Sequence, residues 1–251
     1  MEFLGAGTQK VEQALPIVLP EARIVRLDSD SASGRRRAWQ ILSAFGAAEY
    51  DILLGTQMVT KGLDFPRVTL VGVLASDQSL DMPDFRASER TLARLLQVAG
   101  RAGRADQPGE VLIQTYYPES ELIHHAARQD YQAFYETEIK SRRELDYPPF
   151  ARLVHVVLSG VNEKTVQDCS QRLAQDFQVL INRHRLSVTL LGPAPCPLYR
   201  LRGRYRRQLL LKTPRILELL KILDEREASA PRFGLPTSVR VAVNVDPDDM
   251  M

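Results

Sequence analysis

The run PDFRASERTLARLLQVAGRAGRADQPGEVLIQTYYPE, Pro83 to Glu119, carries the pattern that decides the fold. Leu92, Leu95 and Leu96 recur at helical spacing between Ala87 and Val98, a glycine-rich turn follows, and Val111 to Tyr116 reads as a buried strand. The same alternation extends upstream. Ile24 to Leu27, Ile52 to Leu54 and Val68 to Leu74 are short runs rich in Val, Ile and Leu, bounded by Gly, Pro or Asp. Between them Thr8 to Leu19 reads as a helix with Val11, Leu15, Val18 and Leu19 on one face. Ser33 to Phe45 reads as another, with Trp39, Leu42 and Phe45 three residues apart. Strands alternating with helices predict an α/β unit with a parallel sheet. Four strands make a small sheet, and a further strand upstream is expected to complete it.

Downstream the order changes. Ser120 to about Glu144 has the pattern of one long polar-faced helix, stopped by Tyr147-Pro148-Pro149. Proline cannot continue a helix and biases its predecessor to extended backbone. The domain boundary is therefore placed there, giving units 1–146 and 147–251. In the second, Arg152 to Leu158 reads as a strand and Glu163 to His184 as an amphipathic helix with Val166, Leu173, Phe177 and Leu180 inward. Ser187 to Leu191 is a short strand ending in a GPAPCP turn, and Arg206 to Lys212 a further strand. Pro214 to Asp224 is a helix with proline in its first turn, and Ser238 to Val245 a closing strand. The β-α-β-β-α-β order predicts a smaller α+β domain of ferredoxin-like, split βαβ type.

Composition narrows the class. The chain has 251 residues, 44% hydrophobic and 25% charged, the profile of an ordered globular protein rather than a disordered or fibrous one. No window approaches 18 uncharged apolar residues, and the start MEFLGAGTQKVEQ lacks the layout of a signal peptide. Cys169 and Cys196 are isolated, so neither a disulfide framework nor a zinc knuckle can be read, and no metal site is expected. A reduced, cytoplasmic protein is expected. The net charge of +2 divides unevenly: residues 1–146 hold 17 Lys/Arg against 21 Asp/Glu, and residues 147–251 hold 16 against 10. The second unit is expected to face something acidic.

Two segments of the first unit carry chemistry. GTQMVTKGLDFP, Gly55 to Pro66, lies between two strands; QVAGRAGRADQPG, Gln97 to Gly109, lies between a helix and a strand. Arg101 and Arg104 are three apart, flanked by Gly100 and Gly103, which let backbone approach a ligand closely. Two guanidinium forks on one turn suit the planar oxygens of a phosphate in a way lysine does not. In phosphoryl transfer such arginines neutralise charge on the γ-phosphate. An exposed surface pair is the alternative. No GxxxxGK[ST] occurs anywhere, so a nucleotide cradle would have to come from elsewhere.

These two segments resemble motifs V and VI of superfamily 2 helicases, which lie on the second RecA-like lobe of the motor. The Pro83 to Glu119 run narrows the resemblance to the PriA (primosomal protein N′) replication-restart helicase family. FLGAGTQKVE at Phe3 to Glu12, ARIVRLDSD at Ala22 to Asp30 and ELDYPPFARL at Glu144 to Leu153 agree. So do LGPAPCPLYRLRGRYRRQLLLK at Leu191 to Lys212 and NVDP at Asn244 to Pro247. By this resemblance Thr56 contacts a phosphate of the tracked DNA strand, and Gly62 and Asp64 sit on the nucleotide side. Gln97, Arg101 and Arg104 would reach ATP bound on the other lobe. The Gly7-Thr8 helix start is similar to a further phosphate contact, with a simple N-cap as the alternative. Family members often have His where this chain has Leu63.

The resemblance also implies parts that these 251 residues do not contain. They are a first lobe with a Walker A lysine and a DEAH-type carboxylate that binds most of the ATP and Mg2+, an N-terminal domain that captures a 3′ end, and a cysteine-rich Zn2+ segment. The chain is thus expected to be the C-terminal part of a longer protein, Met1 replacing an internal residue, and not to hydrolyse ATP alone. Implied partners are branched and single-stranded DNA, primosome proteins and single-strand-binding proteins, for a nucleoid-associated monomer.

The basic unit offers a second interface. Arg200, Arg202, Arg204, Arg206 and Arg207 put five arginines within eight residues, interleaved with Tyr199 and Tyr205. In a loop leading into a strand they could lie along a phosphate backbone while a tyrosine stacks on a base; a solvated loop is the alternative. If extended, Arg202, Arg204 and Arg206 would share one side. His124 and His125 are adjacent on a helix and make a poor metal pair, His155 is expected to pack in a strand, and Cys169 to be a small core residue. The Arg35-Arg36-Arg37 run reads as a solvated face, with DNA contact the alternative. Two rival functions stay open: another superfamily 2 fork-remodelling translocase, and a non-enzymatic branched-DNA and protein-binding module.

Overall fold

A computed structural model describes residues 8–28, 35–56, 65–74, 83–102 and 109–250. It divides into two compact units, Met1–Asp81 with Ala87–Tyr131, and Met82–Arg86 with Gln132–Met251.

The first unit contains α1 (Thr8–Val18), β1 (Ile24–Leu27), α2 (Arg35–Gly46), β2 (Ile52–Gly55), β3 (Leu70–Val73), α3 (Ala87–Ala99), β4 (Glu110–Ile113) and α4 (Glu121–Arg128). A helix lies in the connection between the strands of each pair, and each pair is parallel: Ile24 faces Ile52, and Leu70 faces Glu110. Thr91, Leu92 and Leu95 form the buried stripe of α3, at the spacing that places one helix face on a core. Leu122, Ile123 and Ala126 are buried on α4.

Other apolar residues depart from expectation. Leu42 and Phe45 of α2 are half-buried, and Phe45 meets Phe65 edge-on at 5.0 Å, but Trp39 is 65% exposed. The spacing is helical, yet the indole falls outside the arc that α2 turns inward. On α1, Val11 and Leu15 are half-buried while Ile17, Val18 and Leu19 are exposed, so the last turn, beyond Pro16, buries nothing among the described residues.

The single helix expected from Ser120 to Glu144 is two. Gln129 takes a left-handed conformation (φ 53°) and closes α4 with its N–H on the Ala126 carbonyl; α5 (Tyr131–Glu144) starts afresh.

The second unit adds β5 (Arg152–Gly160), α6 (Glu163–His184), β6 (Thr189–Leu201), β7 (Arg204–Thr213), α7 (Ile216–Ser229) and β8 (Arg240–Val245). Its sheet runs β6-β7-β5-β8 with every pairing antiparallel. The Asn162 side chain caps α6 by accepting from the Thr165 N–H at 2.9 Å. Val166, Cys169, Leu173, Phe177 and Ile181 then bury one face of the helix against Val154, Val156, Leu158, Leu209 and Leu211. Residues alternate across a strand, so Leu153 and Leu210 point the other way, into a smaller cluster with Met250, Phe85 and Tyr147.

GPAPCP is not a turn. Its residues stay within β6, with a register irregularity between Leu191 and Ala194 where Gly192 adopts φ +98°. As an edge strand β6 can lose backbone donors at prolines without breaking an interior ladder.

Candidate nucleotide and nucleic-acid sites

In the first unit, Gln97 is exposed on the last full turn of α3, and the helix then tightens. The Arg101 N–H bonds the Val98 carbonyl at 2.9 Å, and the Ala102 N–H bonds Ala99 at 3.2 Å. Arg101 is half-buried, four residues beyond Gln97 and two beyond the end of α3. A Cβ on Gly100 would meet nothing among the described residues closer than the Leu96 carbonyl at 3.5 Å, so packing there does not call for glycine. Gly7, Gly62, Asp64 and Arg104 lie outside the described residues.

The carboxyl edge of the β1–β2 pair gathers further candidates. Leu27 faces Gly55 in the register, so Asp28 and Thr56 both leave the sheet at that edge. Thr56 is exposed. Thr8, the first residue of α1, donates its hydroxyl to Asp28 Oδ2 at 2.9 Å. Asp28 is 5% exposed, with Arg26 Nε 3.5 Å away. The sequence reading missed Asp28; its signal is an acid directly after the apolar run IVRL. In open α/β sheets the carboxyl ends of strands are where ligands bind.

In the second unit the arginine run is not a loop leading into a strand but a hairpin. Leu201 pairs with Arg204 and Arg200 with Tyr205, leaving Arg202 and Gly203 as the turn. Their φ values of 49° and 76° suit the two-residue turn whose twist matches its flanking strands. The turn removes Arg202 from the alternation that would align it with Arg204 and Arg206. Arg200 and Arg202 are exposed; Arg204, Arg206 and Arg207 are half-buried. Arg204 donates to the Ser159 carbonyl at 3.0 Å and Arg207 to the Pro193 carbonyl at 3.3 Å. Tyr199 donates its hydroxyl to Glu163, which raises its pKa, and meets Tyr205 at 5.5 Å between ring centroids. Arg200 lies 5.1 Å from the Tyr205 ring, a cation–π distance.

His155 is 1% exposed, its Nε2 2.8 Å from Gln208 Oε1, and burial lowers its pKa, which favours a neutral packed imidazole. Cys169 and Cys196 are free, buried thiols whose pKa values burial raises. Among the described residues no three His, Cys, Asp or Glu side chains gather to hold a metal, and no helix is long and apolar enough to cross a membrane.

Residues 6–106 match the helicase conserved C-terminal domain, and residues 143–248 match the primosomal protein N C-terminal domain. The parallel strand pairs thus belong to a RecA-like helicase lobe, followed by a C-terminal domain built on an antiparallel sheet. Proteins named replication restart protein PriA are similar along the whole chain. The Bacillus subtilis protein is 40% identical over 251 residues, covering 100% of this chain and 31% of the relative. Those of Synechocystis and Chlamydia trachomatis are 39% and 40% identical over 98% of the chain. The chain is thus similar to these PriA proteins along its whole length, and it spans about a third of the length of each (31%, 29% and 32%).

Proposed function

We propose that this chain is the C-terminal part of an ATP-dependent 3′-to-5′ DNA helicase that recognises stalled or branched forks and starts primosome assembly for replication restart. The observation that carries the reading is Gln97 and Arg101, four residues apart where α3 ends in a tightened turn, within a helicase lobe whose chain has no GxxxxGK[ST] cradle of its own. ATP would be gripped mainly by a P-loop lobe outside these residues, where Mg2+ would supply charge neutralisation. Arg101 and Arg104 complete the γ-phosphate surroundings from this side, with Gly62, Asp64 and Gln97 lining the nucleotide. Thr56 and Thr8 hold the tracked strand, and the arginines from Arg200 to Arg207 hold branched DNA. Zinc would be bound by a cysteine-rich segment elsewhere, since Cys169 and Cys196 are both buried and offer no ligand set.

We place the functional division at residues 146 and 147. The β-α-β-β-α-β order with strand order β6-β7-β5-β8 supports a ferredoxin-like C-terminal domain. A monomer acting at the nucleoid in the cytoplasm, in contact with primosome and single-strand-binding proteins, fits this role.

Fluorescence anisotropy of the 251-residue chain on forked, duplex and single-stranded DNA at two salt concentrations tests the reading. Preferential, salt-sensitive binding to forks is expected, weakened when the exposed Arg200 and Arg202 are both changed to Ala. Absence of salt-sensitive DNA binding would remove the DNA half of the proposal.

A further inference from the structure

The two faces of the second unit's sheet differ. Val154, Val156, Leu158, Leu209 and Leu211 point to α6 and α7, so Val157, Ser159, Arg204, Arg206 and Gln208 point to the opposite face. At the Tyr147 end that face is closed by Phe85, Tyr147 and Met250. At the hairpin end it carries charge. Ser159 pairs with Arg206 on one side and Arg240 on the other, so a single cross-strand row reads Arg206–Ser159–Arg240. With strands about 4.8 Å apart, the two arginine backbones lie about 10 Å apart with a small hydroxyl between them. Arg204 lies on the same face and bonds the Ser159 carbonyl. The next row, Gln208–Val157–Ala242, carries no charge. The Arg206 side chain already has a partner, whereas the Arg240 side chain is exposed and has no hydrogen bond or ion pair among the described residues.

We propose that this sheet face is a DNA-backbone site in which Arg240 works with Arg204 and Arg206 across Ser159. The inference rests on the reading that this chain binds DNA, and it adds an arginine more than thirty residues beyond the hairpin. Arg204 and Arg206 on β7 and Arg240 on β8, two strands away, flank Ser159 with cationic side chains suited to the repeated charge of a phosphodiester strand. Phosphate contacts of this kind fix register without reading sequence. Ser159 keeps the floor low enough for a backbone to approach.

The test is anisotropy on single-stranded and forked DNA with the whole chain, comparing Arg240→Ala, Ser159→Glu and Arg183→Ala. Each changes net charge by the same amount, and Arg183 is exposed in the last turn of α6. Arg240→Ala and Ser159→Glu are expected to weaken binding several-fold and to reduce the salt slope by about one, while Arg183→Ala leaves both near the parent. A thermal melt of each variant separates lost binding from lost fold, and Arg240→Gln repeats the test should the alanine variant melt early. If the parent binds DNA but Arg240→Ala and Arg240→Gln match Arg183→Ala, this site is wrong and the proposed function stands. If the parent binds none, both fall.

Discussion

The ammonium of Lys212 lies 3.5 Å from the centroid of the Tyr147 ring and donates to the Leu145 carbonyl at 2.8 Å. Lys212 is 8% exposed, and burial lowers its pKa. Tyr147 is stacked in turn on Phe85 at 5.0 Å, so the segment before Pro148 is held on the sheet by ring and cation together. Replacing Tyr147 by Leu would leave a buried cation with one carbonyl partner. The expected loss of unfolding free energy is about 1–2 kcal/mol, read from the urea midpoint. Lys212→Met, which removes the charge and keeps the apolar length, is expected to lose less.

Acid should weaken the end of β8. Asp246 accepts from Arg152 Nε at 2.5 Å and from the Leu153 N–H at 3.1 Å, and these bonds hold its carboxyl below the usual range. A carboxyl with a depressed folded pKa contributes stability above its unfolded value near 3.8, and that contribution disappears as pH falls through the lower folded value. The pair is partly exposed, so the effect is small. Asp246→Asn is expected to cost about 1 kcal/mol at neutral pH and almost nothing once both carboxyl forms are protonated. Denaturation midpoints of parent and variant across pH 7 to 2 should therefore converge.

Two glycines with positive φ should differ in their cost to alanine. Gly203, in the hairpin turn, has φ +76° and open space where a Cβ would stand, so only backbone strain of about 1 kcal/mol is expected. Gly192 has φ +98°, and its Cβ would come within 2.8 Å of the Gln208 carbonyl, a backbone atom fixed in the neighbouring strand. Gly192→Ala should lower the melting temperature clearly more than Gly203→Ala. Equal shifts would show that β6 yields at its bulge.

Arg101 should matter to turnover and not to folding. In a polypeptide that carries both helicase lobes, Arg101→Ala is expected to reduce ATP hydrolysis by ~10³ or more while the melting temperature stays near the parent's. Arg101→Lys should not restore it, because a point charge cannot replace a planar two-pronged donor. A variant with undiminished turnover would remove Arg101 from the nucleotide site.

Trp39 is the chain's single tryptophan and is 65% exposed. Its fluorescence should be that of a hydrated indole and should be quenched efficiently by iodide. Trp39→Phe should leave the melting temperature unchanged.

Much of this architecture was legible in the sequence. The apolar stripe of the 22-residue helix α6 and its Asn162 cap define Glu163–His184 locally, because a helix face repeats every three to four residues and its cap lies next to it. The strands of the first unit are short runs of Val, Ile and Leu for the same local reason. Tertiary structure decided the rest. The helix break at Gln129 and the continuation of β6 through GPAPCP depend on backbone conformation that no apolar period encodes. Which face of α2 turns inward, and hence that Trp39 is exposed, depends on what packs there. Thr8 bonded to Asp28, and Ser159 paired with Arg206 on one side and Arg240 on the other, join residues far apart in the chain. Only sheet register and helix packing bring such residues together, because hydrogen-bonded strands align positions that the sequence itself keeps distant.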